Sequence, residues 1–254
     1  ALAIAESYDL SVDYMNGEME AILADAVRAF RTHFDDDRAR TAAKMVKYSN
    51  EPNAVAYLDG WISPEMGAWQ GEFWGKYLLG AVETAELTGD AELKAWLKAR
   101  ALAFVQEFQA QDGYLSSYAD REFLGGPKDP RHAFAWNVWG RKYTLWALLE
   151  IARVADAPEL LMAARRLADQ LIAQLSARKL EVRETGYFAG LASGSILVPM
   201  IRLYRATGEE RYLAFAKRIV SEWDRDDGAC PNLIRNAFTD KPAHTRYPDP
   251  GNWA

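Results

Sequence analysis

The feature that most constrains the fold is a helical hairpin pattern that occurs three times. The segments ELTGDAELKAWLKARALAFVQEF, RVADAPELLMAARRLADQLIAQL and YRATGEERYLAFAKRIVSEWD align through hinges at Gly89, Ala155 and Gly208. Apolar residues recur at helical spacing on both sides of each hinge, and no segment shows the alternation of a strand. Repeated hairpins stack side by side, and their long loops commonly form a binding face. The sequence therefore predicts an all-α fold.

The periodic segments predict about eight helices. They cover residues 1–32, 38–48, 69–90, 91–109, 136–154, 158–175, 193–207 and 209–223. Gly89 suits the residue after a helix end, and Asp90 suits the amino-terminal cap of the next helix. A closed ring of six hairpins needs about twelve helices. The prediction is therefore an incomplete α/α toroid of the six-hairpin barrel type.

The predicted organisation is the amino-terminal portion of a single toroid domain over residues 1–254. Residues 1–68 form leading helices and loops, and residues 69–223 form the hairpin repeats. Residues 224–254 contain Pro231, Pro242, Pro248 and Pro250 and read as a loop region cut short within the domain.

Composition excludes several classes of function. The net charge is −6 and no basic run is present, which argues against a nucleic-acid surface. Cys230 is the single cysteine, so neither an intrachain disulfide nor a cysteine-rich metal site can form within the chain. No apolar stretch is long enough and free enough of charge to predict a membrane span. The oligomeric state stays open, and the periplasm, secretion and the cytoplasm are all compatible with the sequence.

The first candidate site is the aromatic-rich start of the helix from residue 69. Trp69, Glu72 and Lys76 lie within eight residues, among further aromatic side chains. Aromatic rings beside a carboxylate and an amine suit a sugar, which offers flat C–H faces and hydroxyl edges. The alternative is that the aromatics are core and that Glu72 and Lys76 form a surface pair one helical turn apart. Both interpretations stay open.

A second cluster occupies the same position in the next hairpin. The segment FAWNVWGRKYTLWALLE matches the first cluster in its aromatic start and in a following glycine, lysine and tyrosine. Two such clusters at equivalent helix ends are predicted to face one funnel. The predicted substrate-binding residues are Trp69, Glu72, Lys76, Trp136, Asn137, Trp139, Lys142 and Tyr143.

Catalytic residues cannot be identified from the residue pattern. A glycosidase generally needs two carboxyl groups about 5–10 Å apart, and nothing pairs Glu72 convincingly with Asp112 or Glu184. The three histidines lack the partner pattern of a hydrolase triad. A loop cluster of Asp112, Tyr114, Tyr118, Asp120 and Glu122 is interpreted as solvated turn residues rather than as part of the rim.

Four segments, in order and at matching spacing, resemble glycoside hydrolase family 127, the β-L-arabinofuranosidase group. They are WQGEFWGKYLLGAVETAELTGD, QDGYLSSY, WNVWGRKYTLWALLE and GLASGSILVPMIRLYRATGEERYLAFAKRIVSEWD. The resemblance covers roughly residues 69–223. It implies an α/α toroid catalytic domain that hydrolyses arabinofuranosidic bonds with retention. It also implies a zinc-bound cysteine nucleophile, further cysteine and glutamate ligands, and a glutamate acid/base.

The sequence departs from this pattern at the reacting groups. No Glu-Thr-Cys segment is present, Cys230 does not lie in one, and Gly71-Glu72-Phe73 is only superficially similar to the family's Gly-Glu-x-Phe segment. Zinc is therefore expected in the full-length protein and no cofactor in this chain. The isolated chain is predicted to carry part of a sugar funnel and to be inactive.

Three functions remain open at this stage. The first is a glycoside hydrolase of this family that binds an oligosaccharide or glycan. The second is another α/α toroid sugar enzyme, such as an unsaturated glucuronyl hydrolase or a sugar 2-epimerase. The third is a non-catalytic helical-repeat protein that binds a partner.

Overall fold

A computed structural model describes residues 70–118, 120–125, 135–186, 190–225 and 238. The helices in these ranges are α1 (Gln70–Thr88), α2 (Ala91–Phe108), α3 (Asn137–Val154), α4 (Pro158–Ala177), α5 (Leu191–Gly194), α6 (Leu197–Thr207) and α7 (Glu210–Asp224). A 3-10 turn spans Val182–Glu184. The described residues contain no β-strand, which confirms the all-α class. The helices predicted over 1–32 and 38–48, and Trp69, lie outside the described residues, as do residues 226–254 apart from Phe238.

The short hinges between paired helices follow the sequence prediction. Gly89 has φ +64° and ends α1, and the Asp90 side chain accepts a hydrogen bond of 2.9 Å from the Leu93 backbone N–H. Gly208 has φ +71° and ends α6 in the same way. At the middle hinge the left-handed residue is Asp156 (φ +46°) rather than Ala155. Left-handed backbone reverses the chain at each hinge, so each pair is antiparallel.

The first helices of the pairs lie side by side and parallel. A Cβ at Gly71 would lie 3.0 Å from the Gly140 Cα, and one at Gly75 would lie 2.5 Å from the Tyr143 carbonyl oxygen. At both points the contacting residues of α1 and α3 are therefore separated by nearly the same number of positions in the sequence. Only parallel helices keep this separation constant. Helix α6 continues this layer beside α3, while α2 and α4 form the second layer behind it. The arrangement is of the α/α toroid type.

The hydrophobic core lies between these two layers. Trp74 of α1 stacks on Phe104 of α2 with ring centroids 4.0 Å apart. Trp74 is thus a core residue. This agrees with the alternative interpretation of the first cluster, in which its aromatic side chains belong to the core. The large side chains that are fully buried include Leu78, Leu93, Leu97, Leu145, Leu148, Ile151 and Tyr212. Burial of each such side chain stabilises the fold by roughly 1.5–3 kcal/mol before entropic costs.

One predicted helix is divided. Residues 193–207 were expected to form a single helix, but α5 ends at Gly194 and α6 begins at Leu197. Pro199 has no N–H to bond the preceding turn, so it belongs in the first turn of a helix. A Cβ at Gly194 would lie 2.7 Å from the Trp223 Nε1 atom, so α7 packs directly on this break.

The described parts of the two long connections lie at one end of the layers, opposite the short hinges. Residues 109–136 lead into α3, and residues 178–196 lead through the 3-10 turn and α5 into α6. The amino-terminal ends of α1, α3 and α6 therefore share the end that carries the long loops. At the hinge end, Glu150 of α3 joins Arg153 of its own helix to Arg202 of α6, and Arg153 also binds Glu86 of α1 at 2.6 Å.

Substitution of Gly75 by alanine should separate α1 from α3. The new methyl would overlap backbone atoms of Tyr143, which cannot move aside as a side chain can. We expect the free energy of unfolding in urea to fall by about 1–3 kcal/mol. Gly140→Ala is the matched control, because its nearest neighbour lies at 3.7 Å, an ordinary contact, and alanine favours the helix by about 0.5–1 kcal/mol. Equal losses in the two variants would contradict the close approach at Gly75.

Candidate functional site

The two sequence clusters meet where the amino-terminal halves of α1 and α3 touch. Lys76 of α1 places its Nζ atom 5.1 Å from the ring centroid of Tyr143 on α3. Lys142 of α3 places its own Nζ atom 3.4 Å from the same centroid. Gly75 makes this possible, because a larger residue would hold the two backbones apart. One tyrosine ring therefore lies against two amines from different helices.

Lys142 lies within a cage of aromatic rings. Its Nζ atom is 4.5 Å from the centroid of Trp139 and 5.4 Å from that of Trp146, in addition to Tyr143. The residue is only 6% exposed, and its ammonium donates no hydrogen bond to the described part of the chain. Cation–π attraction is what holds it. The sequence analysis missed Trp146, although its position one helical turn after Lys142 places both on one face of α3.

Glu72 completes the group from α1. Its Oε1 atom lies 2.7 Å from the Lys76 Nζ atom, and its side chain is 15% exposed. This is the pair one turn apart that the alternative interpretation described. Burial tends to lower the pKa of Lys76, but the hydrogen bond and charge of Glu72 outweigh it and raise that pKa above its ordinary value. The ionised pair lies beside the aromatic cage.

Lys142 differs from Lys76 in its titration. Burial and, to a lesser extent, the positive charge of Lys76 lower the pKa of Lys142 to about 8, against the opposing effect of Glu72. Desolvation without a hydrogen-bonded carboxylate raises the free energy of the charged lysine in the folded state. The site thus holds one amine that is firmly charged and one that titrates near neutral pH.

Trp136 and Asn137 connect the preceding loop to α3. Asn137 is fully buried, and its amide donates to the Phe123 carbonyl at 2.9 Å and accepts from the Ser116 hydroxyl at 3.1 Å. The Trp136 backbone N–H donates to the Tyr118 hydroxyl at 3.0 Å. Direct substrate contact by Trp136 and Asn137 stays a prediction, while their hydrogen bonds position the loop.

Trp139 links the end of the loop, at Trp136, to the rest of the aromatic cage. Its ring centroid lies 6.1 Å from that of Trp136 and 5.1 Å from that of Tyr143, the latter edge-on. Its indole N–H is buried and has no hydrogen-bond partner in the part of the chain that the structure describes. Buried donors are normally paired, so this N–H is an unused hydrogen-bonding group at the site.

The loop cluster separates into two kinds of residue. Asp112, Asp120 and Glu122 are exposed, and Asp112 forms an ion pair of 2.8 Å with Arg121. Tyr114 and Tyr118 are buried, and the Tyr114 hydroxyl donates to the Tyr118 carbonyl at 2.8 Å. The carboxylates are solvated turn residues, whereas the two tyrosines belong to the packed interior of the loop.

The described residues do not supply a zinc site. Within them, no three histidine, cysteine, aspartate or glutamate side chains come together as metal ligands, and Cys230 lies outside the described ranges. Among the same residues, no helix combines the length and apolarity that crossing a membrane requires.

Comparison with known proteins gives a family. Residues 19–241 match the family described as Beta-L-arabinofuranosidase, GH127 catalytic domain. This match covers most of the chain and includes the whole of the α1–α7 region. The family consists of glycoside hydrolases, so a glycan is the substrate class that it indicates. No curated protein and no solved structure matches the chain significantly.

Because Lys142 titrates, the free energy of unfolding of the protein should depend on pH. Its pKa is lowered from 10.5 to about 8 in the folded state. Below about pH 8 both states are protonated, so the cost of burying the ammonium is fully present. Between about pH 8 and 10.5 the unfolded chain binds more protons, so this cost disappears as the pH rises. Lys142→Met should therefore stabilise the protein most below pH 8 and progressively less towards pH 10.5, as measured by urea unfolding.

The matched control for this measurement is Lys217→Met, at an exposed position on α7. Its effect on stability should not change over the same interval. If the difference between wild type and Lys142→Met is independent of pH, Lys142 is not desolvated in the folded protein.

Proposed function

Because the chain belongs to the GH127 β-L-arabinofuranosidase family, we propose that it binds an arabinofuranosidic or related glycan where α1 and α3 meet. In this proposal residues 69–223 are the hairpin portion of a single toroid domain and contribute one wall of the sugar funnel. The proposed contact residues are Trp69, Glu72, Lys76, Trp136, Asn137, Trp139, Lys142 and Tyr143. The observation that carries the proposal is the approach of Lys76 and Lys142 to one tyrosine ring.

The chemistry of these groups supports a sugar. The ring faces of Trp139 and Tyr143 offer apolar surface to the C–H face of a furanose. The Lys76 ammonium and the Glu72 carboxylate supply a donor and acceptors for adjacent hydroxyls. The indole N–H of Trp139 has no hydrogen-bond partner among the described residues, so a shift of this ring on binding would give the sugar a further donor. Such a combination of apolar walls with a few polar groups is typical of a small-molecule site.

The proposal assigns binding, and not bond cleavage, to the described residues. Among the described residues the carboxylate at this site is that of Glu72, and it is engaged in an ion pair of 2.7 Å with Lys76. The family resemblance implies a nucleophile, an acid/base and a zinc ion. None of these roles is given to a residue of α1–α7.

Trp139→Ala is the direct test of the proposal. Loss of this ring removes one wall of the aromatic cage and the unused indole donor, so affinity for an arabinofuranosyl oligosaccharide should fall at least about tenfold. Isothermal titration calorimetry on the whole chain gives the affinity, and circular dichroism confirms folding.

The matched control is Trp96→Ala, which removes a half-buried tryptophan from α2 in the other layer. It should lower stability without changing affinity for the sugar. Equal affinity in wild type and Trp139→Ala, or no binding of any arabinofuranoside by the folded chain, would contradict the proposal.

A further inference from the structure

Arg202 of α6 connects the ion pairs at the hinge end of the layers to the aromatic cage around Lys142. Its guanidinium lies 5.1 Å from the ring centroid of Trp146, one of the three rings of the cage. The Lys142 Nζ atom lies 5.4 Å from the same centroid. Two cations from different helices therefore contact one tryptophan ring, just as Lys76 and Lys142 contact the ring of Tyr143.

Glu150 fixes the guanidinium of Arg202. The carboxylate side chain is 7% exposed, and its Oε1 atom accepts a hydrogen bond from the Arg202 Nη1 atom. Its Oε2 atom accepts from the Arg153 Nε atom at 2.9 Å. The Arg202 side chain is 45% exposed, so without this charge-assisted hydrogen bond it could leave the ring for solvent. The buried carboxylate therefore determines where Arg202 lies.

Lys142, Trp146 and Glu150 lie on one face of α3. They are four positions apart in the sequence, so each lies about 6 Å along the helix axis from the next. Arg202 contacts both Trp146 and Glu150 from the neighbouring helix. A continuous line of contacts therefore runs from the hinge end to the ammonium of Lys142.

The three rings of the cage differ in what supports them. Trp139 and Tyr143 contact each other edge-on, with ring centroids 5.1 Å apart. Trp146, which is partly exposed, contacts the Arg202 guanidinium. Attraction between a guanidinium and an aromatic face favours the side-chain rotamer that makes this contact. The Trp146 ring is therefore positioned from α6, whereas the other two rings support each other on α3.

Lys142 depends on these rings for its environment. The residue is only 6% exposed, and burial is the main reason that its pKa is lowered to about 8. Displacement of the Trp146 ring would open one side of the cage to water. The ammonium would then be hydrated, and its pKa would return towards 10.5.

We propose that Arg202 is a positioning residue of the glycan site: held by Glu150, it fixes the Trp146 ring and, through that ring, the ammonium of Lys142. Helix α6 thereby takes part in a site whose contact residues belong to α1, α3 and the residues just before them. This role rests on the proposed binding of a glycan by Lys142 and its neighbours. Arg202 itself is assigned no contact with the sugar.

The titration of Lys142 tests the positioning without any sugar. NMR of protein labelled with carbon-13 at the lysine Cε atoms follows each amine, and the spectrum of Lys142→Met assigns the signal. Arg202→Gln should raise the pKa of Lys142 from about 8 towards 10.5, because the cage opens to water. Arg205→Gln, at an exposed position on the same helix, is the matched control and should leave that pKa unchanged. An unchanged Lys142 pKa in Arg202→Gln would overturn the proposal.

Glu150→Leu separates the position of Arg202 from its charge. Removal of a carboxylate would by direct electrostatics lower the pKa of a nearby amine, whereas release of Arg202 and Trp146 should raise the pKa of Lys142. The two effects have opposite signs, so the direction of the change decides between them. A lower or unchanged Lys142 pKa in folded Glu150→Leu would overturn the proposal. If this variant does not fold, as judged by circular dichroism, Arg202→Gln and its control decide.

Affinity for an arabinofuranosyl oligosaccharide tests the role in binding. Isothermal titration calorimetry on the whole chain should show binding at least about threefold weaker in Arg202→Gln than in wild type, and no change in Arg205→Gln. Equal affinity in Arg202→Gln and wild type would overturn the role of Arg202 in the site. If the folded wild type binds no arabinofuranoside, the proposed glycan function is wrong, and the titration alone decides whether Arg202 fixes Lys142.

Discussion

The direct approach of the α1 and α3 backbones is the contact on which the rest of the site depends. At Gly71 and Gly75 the two helices meet without an intervening side chain on α1, so Lys76, the residue after Gly75, reaches across the interface. Lys76 therefore lies over Tyr143, which belongs to the neighbouring helix. The same parallel register continues to the hinge end, where Arg153 binds Glu86. The shared ring is thus a consequence of helix packing, and its geometry is fixed by backbone rather than by flexible side chains.

The two lysines in this region have pKa values that are shifted in opposite directions. Lys76 has a carboxylate one turn away, whereas Lys142 has only aromatic rings, and the pKa values of the two amines move in opposite directions for that reason. Arg141, next to Lys142 in sequence, points to the other layer and is buried against Tyr114. The amino-terminal end of α3 therefore carries two desolvated cations, each on a different side of the helix. Burial of two cations without a hydrogen-bonded carboxylate destabilises this helix end relative to an apolar one.

The sequence predicted the helices well because each depends on local information. Apolar period, the cap at Asp90 and the left-handed glycines at 89 and 208 are all read from neighbouring residues. Apart from the divided 193–207 helix, the ends of the described helices differ from the predicted ones by at most two positions. The aromatic clusters could also be found, since their repetition at the start of two successive hairpins is visible in the sequence. The roles of the individual residues in these clusters could not be predicted from the sequence. Trp74 in the core, Asn137 bonded within the loop, and the burial of Arg141 all depend on which loop or layer lies opposite, which no local pattern specifies. The break before Leu197 depends similarly on the packing of Trp223 on Gly194.

The most direct measurement is a crystal structure of the chain soaked with a short arabinofuranosyl oligosaccharide. A furanose ring against Trp139 and Tyr143, with its hydroxyls within hydrogen-bond distance of Lys76 and Glu72, is the predicted result. A sugar bound elsewhere, with the Tyr143 ring covered by protein, would show that the meeting of α1 and α3 is a packing contact and that the family's glycan is recognised by other residues.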